Sequence, residues 1–329
     1  MSERSAVITG TGIGVPERIL SNQDLERMVD TSDEWIVTRT GIRERRIAGE
    51  GDSLSQYCVE ASKKALEAAS IGPDEVDLII LATITPDMPI PATACTIQHE
   101  LGCRRAAAFD MSAGCSGFIY AQSVAKQFVI SGRYRNVLVL GAELLSKFVD
   151  WKDRTTCVLF ADGAGAVIMS EGSFPQGVLA SAMYTDGGMR DFIYMPGGGV
   201  LHPPNDPATL EQHLPYIRMK GNETFKMAVR SMDQVCREVL EQAGLTTDDV
   251  DWLVPHQANL RIISAVGNRL GIPAERCYVN VDRYGNTSAA SIPIALDEAV
   301  RGGHIKEGDI VLMTAFGAGL TWAASVVRW

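Results

Sequence analysis

Ala65-Leu-Glu-Ala-Ala-Ser-Ile-Gly-Pro-Asp-Glu-Val-Asp-Leu-Ile79 and Val239-Leu-Glu-Gln-Ala-Gly-Leu-Thr-Thr-Asp-Asp-Val-Asp-Trp-Leu253 carry one pattern twice. Each is the end of an amphipathic helix, a turn rich in Gly, Pro, Thr and Asp, and a Val-Asp pair that opens an apolar strand. The offset is 174 residues, taking Asp77 to Asp251. Further on, Val137-Leu-Val-Leu140 matches Ile310-Val-Leu-Met313 at an offset of 173, and Gly114-Cys-Ser-Gly117 matches Gly285-Asn-Thr-Ser288 at 171. Such self-similarity indicates a duplicated unit. Each half is expected to run helix, turn, buried strand, helix, strand, small-residue turn, helix, strand. The first half's helix puts Cys58, Ala61, Ala65 and Ala68 on one face; the second's does so with Val229, Met232, Val235, Val239 and Ala243. The strands 78–82, 137–140 and 310–313 are continuously apolar, as when both faces of a sheet are covered. Halves 1–172 and 173–329, packed about a pseudo-twofold axis, would make an α/β protein, a five-layered αβαβα sandwich.

Composition narrows the function. The 329 residues carry a net charge of −10, with 46% hydrophobic and 21% charged residues. That balance suits a globular chain and argues against nucleic acid and anionic membrane surfaces, while leaving room for an acidic partner on a local basic patch. The opening Met-Ser-Glu-Arg-Ser has no apolar core and no apolar run spans a bilayer, so a cytoplasmic location is expected. Seven cysteines without a Cys-x-x-Cys pair fit free thiols in a reducing compartment. Cys95, His99 and Cys103 fall at helical spacing, but the outer two would be about 12 Å apart on a helix, so a packed stripe is expected and no metal. Gly10-Thr-Gly-Ile-Gly14 has the wrong spacing for a dinucleotide fingerprint. Segment 184–215 is dense in Gly and Pro, and reads either as a functional cover or as a disordered insertion.

The chemistry centres on Met111-Ser-Ala-Gly-Cys-Ser-Gly-Phe118. Cys115 stands where an apolar run, 106–111, gives way to a helical run, 118–130. A thiol at a helix N-terminus is expected to have a lowered pKa and to act as a nucleophile. Asn286 occupies the matching position in the second half, so the two residues are expected to converge across the pseudo-twofold axis; capping alone would also explain an Asn there. His256 follows the strand 252–254 at the end where α/β sheets usually bind ligands. A thiol with two neutral hydrogen-bonding side chains suits acyl transfer through a thioester, and the turn Phe316-Gly-Ala-Gly-Leu-Thr-Trp322 offers backbone N–H groups to join that of Cys115.

These motifs resemble those of β-ketoacyl-acyl carrier protein synthase III, the initiating condensing enzyme of the thiolase superfamily. The likeness runs from Val7-Ile-Thr-Gly10 to Val327-Arg-Trp329. It is carried by Thr31-Ser-Asp-Glu-Trp-Ile-Val-Thr-Arg-Thr-Gly-Ile-Arg-Glu-Arg45, the Cys115 turn, Asp162-Gly-Ala-Gly-Ala166, His256-Gln-Ala-Asn-Leu-Arg261, Tyr284-Gly-Asn-Thr-Ser288 and the Gly317 turn. Elongating relatives place a second His where this chain has Asn286. The resemblance implies a thiolase-like sandwich in which Cys115 takes an acyl group from acyl-CoA, a substrate, with no cofactor. Malonyl-acyl carrier protein then loses CO2, and His256 and Asn286 hydrogen-bond its thioester oxygen as charge develops. The N–H groups of Cys115 and Ala318 would form an oxyanion hole; relatives often have Gly at the Ala318 position. Trp35, Arg39 and Arg154 match residues that pack against the CoA adenine. Lys226, Arg261 and Arg269 match a patch receiving the carrier protein. Ile90 matches a position narrowing the acyl pocket, where Phe is common, and so predicts room for starters longer than acetyl. The family's members are homodimers.

Four other readings compete. A thiolase would need a second cysteine in the C-terminal Gly-rich turn, and there is none. A relative using the same triad in secondary metabolism is the main alternative. A cysteine hydrolase would use His256 as a base paired directly to Cys115, and a CoA-binding protein without catalysis would tolerate loss of Cys115.

Overall fold

Neighbouring residues of the apolar strands face two different interiors, which is why those strands have no polar side. The computed structural model describes residues 4–329; residues 1–3, the start of the opening stretch read above as lacking a leader, lie outside the described residues. One sheet contains β1 (Arg4–Gly14), β2 (Leu78–Ala82), β3 (Ala107–Met111), β4 (Asn136–Leu144) and β5 (Asp162–Ser173), in the order β1-β5-β4-β2-β3. The other contains β6 (Gly177–Thr185), β7 (Trp252–Pro255), β8 (Ile310–Gly317) and β9 (Thr321–Arg328), in the order β7-β8-β9-β6. The helices that matter below are α1 (Asp33–Thr40), α2 (Leu54–Ala69), α3 (Thr93–Leu101), α4 (Gly117–Ile130), α5 (Gly221–Gln242), α6 (Leu260–Leu270) and α7 (Ser291–Arg301).

The side chains sort these elements into layers. Leu78, Ile80, Val137 and Val139 join Phe118 and Ile119 of α4, Ile292 and Leu296 of α7, and Val311 and Met313 of the second sheet. Their strand neighbours Ile79, Leu81, Leu138 and Leu140 point the other way, onto Cys58, Ala61 and Ala65 of α2 and Ile97 of α3. Leu312 and Phe316 face Met232, Val235 and Val239 of α5 and Val266 of α6. The result is α2 and α3, a sheet, α4 and α7, a sheet, then α5 and α6: a five-layered αβαβα sandwich, as expected.

The duplication is visible in the hydrogen bonds. Leu78 pairs in parallel with Val137, and Trp252 with Val311. Asp77 Oδ2 accepts from the N–H of Asn136 at 3.0 Å, where β4 begins; Asp251 Oδ2 accepts from the N–H of Ile310 at 2.8 Å, where β8 begins. Both carboxylates therefore fix the start of the next strand. The halves differ at one edge. β3 pairs along its length with β2, whereas its counterpart in the second half is reduced to a single bridge between Leu253 and Cys277.

Two local expectations need correction. Ala68 is exposed and its neighbour Ala69 packs against the core, because α2 rolls by one position at its end. Cys103 lies beyond α3, which Gly102 terminates in a left-handed conformation, so it does not share a helix face with Cys95 and His99. Among the described residues no three His, Cys, Asp or Glu side chains are grouped to hold a metal. Gly10, Gly12 and Gly14 let α2 lie flush on β1: a Cβ at Gly12 would stand 2.2 Å from the Ala61 carbonyl oxygen.

Candidate active site

Cys115 lies in the tight turn Gly114–Ser116 that leads directly into α4. Gly114 has φ +54°, a conformation that costs glycine little. The C-terminal Gly317 turn presses on this one so closely that a Cβ at Gly317 would stand 2.5 Å from the Cys115 nitrogen, and one at Gly114 would stand 2.9 Å from the Ala318 nitrogen. The turns are also tied by side chains. The Thr321 hydroxyl donates to the Ala113 carbonyl at 2.8 Å, and the Ser116 hydroxyl to the Thr321 carbonyl at 3.2 Å. The backbone nitrogens of Cys115 and Ala318 are thereby brought beside one another.

His256 continues β7, its N–H donating to the Thr314 carbonyl on β8 at 2.8 Å. It is 3% exposed, and burial pulls its pKa down to about 3, so the ring is neutral. Its Nδ1 lies 2.6 Å from the Ser291 hydroxyl, which also accepts from the Gln257 N–H at 3.3 Å. When the Ser291 hydroxyl gives its proton to Nδ1, the imidazole proton lies on Nε2 as a donor.

Asn286 is pinned on both sides of its backbone by the 158–161 segment: its N–H donates to the Leu159 carbonyl and its carbonyl accepts from the Ala161 N–H, each at 2.9 Å. Its side-chain Oδ1 accepts from the Ser288 N–H at 2.9 Å, a bond made one residue before the N-cap Thr287 of the short helix Ser288–Ala290, so Asn286 is not itself the cap. That bond fixes the amide with its NH2 group turned away from the Ser288 N–H. Behind it, the buried Arg45 guanidinium spans Asn22 and the Leu20 and Val158 carbonyls, and Gly285 sits against Arg45.

Cys115, His256 and Asn286 line one cavity of about 730 Å³. Exposed Arg39, Lys226 and Arg261 line it too, so it runs from the surface to buried side chains. Trp35 on its wall is flanked by two guanidiniums, Arg39 at 4.7 Å and Arg154 at 5.4 Å from the ring centre. Arg154 is further held by the Asp30 carbonyl at 2.8 Å. Arg261 stacks over Phe225 at 5.7 Å. Arg269, by contrast, is outside the cavity and engaged with Asp233 at 3.1 Å. The 184–215 segment holds a short helix, Pro207–Glu211, and a strand, Ile193–Tyr194, which pairs with Arg218–Met219 just beyond it; Ile193 and Met219 reach the cavity wall. Ile90 is 86% exposed and absent from the lining, so in this chain it does not narrow the cavity.

The family model for 3-oxoacyl-[acyl-carrier-protein] synthase III matches residues 109–187, and the model for its C-terminal part matches residues 240–329. The β-ketoacyl-[acyl-carrier-protein] synthase III of Caldanaerobacter subterraneus subsp. tengcongensis is 57% identical over 325 residues, 99% of this chain and 98% of its own. The chain belongs to the β-ketoacyl-acyl carrier protein synthase III family. The crystal structure of the synthase III from Aquifex aeolicus has a TM-score of 0.91 at 52% identity, covering 98% of this chain and all of that one (100%). A priming β-ketosynthase of the R1128 polyketide pathway is 38% identical with a TM-score of 0.93, covering 99% and 96% of the two chains.

Within this synthase III fold, two features escaped sequence reasoning. Burial raises the Cys115 thiol to about 11, against the lowering expected of a helix N-terminus. The turn is enclosed between two sheets, and the desolvation cost of a thiolate there outweighs the dipole. The second is Glu143 of β4, fully buried beside the site and held by Thr83, Ile84, Thr85 and Ser288. Its signal was an acidic residue inside an otherwise apolar strand.

Proposed function

We propose that the protein catalyses the decarboxylating Claisen condensation of an acyl-CoA with malonyl-acyl carrier protein, the step that initiates fatty acid synthesis. The observation that carries this reading is the convergence of a cysteine and two neutral donors, His256 and Asn286, on one cavity with cations at its mouth. In this reading Cys115 sulfur attacks the acyl-CoA carbonyl, whose oxygen is held by the Cys115 and Ala318 N–H groups, and CoA leaves. Malonyl thioester then occupies the site. Its carboxylate departs as CO2 while His256 Nε2–H and the Asn286 NH2 hydrogen-bond the thioester oxygen, stabilising the enolate that attacks the acyl-enzyme. The stabilisation needs neutral donors, which the environments of both side chains favour.

Trp35 between Arg39 and Arg154 offers a planar, cationic platform for the CoA adenine. Lys226 and Arg261 supply the positive face for the acidic carrier protein, with Arg269 a more distant contributor through its pairing with Asp233. No helix of the described residues is long and apolar enough to cross a membrane, and a cytoplasmic enzyme using no cofactor fits the scheme. Exposed Ile90 and Met88 support a homodimer in which this loop meets a second copy, the arrangement by which Ile90 would border an acyl pocket.

Identity favours the fatty acid reading over secondary metabolism, since relatives at 50–57% carry the synthase III name and the polyketide-priming enzyme stands at 38%. A hydrolase is disfavoured by His256, whose burial makes it a weak base. The test is intact-protein mass spectrometry after incubation with acyl-CoAs from acetyl to octanoyl and branched. We expect an adduct on Cys115 that persists until malonyl-acyl carrier protein is added, and none in Cys115→Ser. An adduct discharged by water alone would overturn the reading.

A further inference from the structure

The segments leading to Cys115 and to Asn286 are matching parts of the two halves, yet they are held differently. In the first half β3 is laddered to β2 along its length, and the Thr83 N–H continues the pairing to the Met111 carbonyl at 3.1 Å. In the second half the backbone contact stops at the Tyr278 N–H, which donates to the Leu253 carbonyl at 2.9 Å. Beyond that point the Gln257 side chain takes the place of the ladder. Its Nε2 donates to the Pro255 carbonyl at 2.8 Å and to the Tyr278 carbonyl at 3.1 Å. Its Oε1 accepts from the N–H groups of Asn280 at 3.0 Å and Val281 at 3.2 Å.

Both donors and both lone pairs of one primary amide are thus engaged. Two carbonyls face one end and two N–H groups the other, so only one orientation of the amide fits. Gln257 is 1% exposed, and water does not compete for these bonds. Val281 opens the short helix Val281–Tyr284, and its carbonyl accepts from the Gly285 N–H at 3.0 Å, immediately before Asn286. Downstream of Asn286, the Ser291 hydroxyl accepts from the Gln257 N–H at 3.3 Å and lies 2.6 Å from His256 Nδ1. The stretch 280–291, with Asn286 near its middle, is therefore fastened at both ends to the dipeptide His256-Gln257.

We propose that Gln257 is a positioning residue for condensation, setting the separation between the His256 and Asn286 donors. The two donors must meet on one thioester oxygen, and such a constellation works only when held within about 0.5 Å of its productive geometry. Asn286 is already pinned by Leu159 and Ala161, so loss of the amide shifts the His256 strand relative to it. One of the two bonds to the oxygen then weakens, just where charge develops. Cys115 and Ala318 are not among the partners of Gln257, so acyl transfer to the thiol does not depend on it.

This inference rests on the acyl-transfer reading, and its test separates the two. Acylation of Cys115 by acyl-CoA and discharge of the loaded enzyme by malonyl-acyl carrier protein are timed separately, for Gln257→Met and for Gln257→Glu. The second variant keeps the size and the acceptor and loses the two donors, and normal acylation certifies the fold of either. Discharge should fall by about tenfold to a hundredfold, in kcat rather than KM, with acylation within about threefold of wild type. In the His256→Ala background, where no pair of donors remains to be spaced, Gln257→Met should cost less than about threefold more. Wild-type discharge in both variants would overturn the proposal. So would an equal slowing or loss of both half-reactions, or a Gln257 effect that multiplies fully with that of His256→Ala, since mere structural support predicts these. Absence of any adduct or discharge in the wild type would sink the acyl-transfer reading itself and this inference with it.

Discussion

His256 and Asn286 each have one side-chain atom committed to the protein, Nδ1 to Ser291 and Oδ1 to the Ser288 N–H, which leaves one donor on each for a ligand. Replacing either by Ala removes a donor aimed at developing negative charge, a loss of about a hundredfold to a thousandfold in condensation. Acyl-adduct formation on Cys115 should survive in both, which half-reaction kinetics would show. The buried imidazole also makes a stability prediction. Its pKa falls from 6.5 to about 3 on folding, so between those values the unfolded chain binds the extra proton. Stability is thus intact above 6.5 and is lost as pH falls through that window. Thermal unfolding from neutral to acid pH should show a decline that is partly absent in His256→Ala.

At the scale of elements, the junction holding Asn286 depends on close backbone packing. A Cβ at Gly141 of β4 would stand 2.2 Å from the Ala289 carbonyl oxygen, one residue from Ser288. Gly141→Ala should therefore destabilise by about 1–3 kcal/mol in denaturant unfolding, and should slow condensation by displacing the turn that fixes Asn286. The strands and helices themselves were legible from periodicity and from the repeat, because burial on both faces and helical stripes are written in local spacing. Cys115, Asn286 and His256 were legible as junction residues for the same reason. What local spacing does not carry is environment. The direction of the Cys115 shift depends on enclosure by both sheets, and one of the donors to the buried Glu143 comes from a turn 145 residues away. Neither the exposure of Ile90 nor the pairing of Arg269 with Asp233 leaves a trace in sequence pattern.

For the whole molecule, a net charge of −10 makes the few cations at the cavity mouth the natural point of approach for an acidic partner. Ile90 belongs to this scale because its side chain is exposed on the surface of the chain. Ile90→Asp should weaken self-association in sedimentation equilibrium. Ile90→Phe should shift starter preference toward shorter acyl chains; an unchanged preference would remove Ile90 from the acyl pocket. The two halves meet at the site with unlike residues, Cys115 in one copy of the junction and Asn286 in the other. Two separate identical chains cannot do this, because any change at one junction would appear at both. In a single chain each junction can vary alone, so one sequence can encode the asymmetry on which a nucleophile and its donors depend.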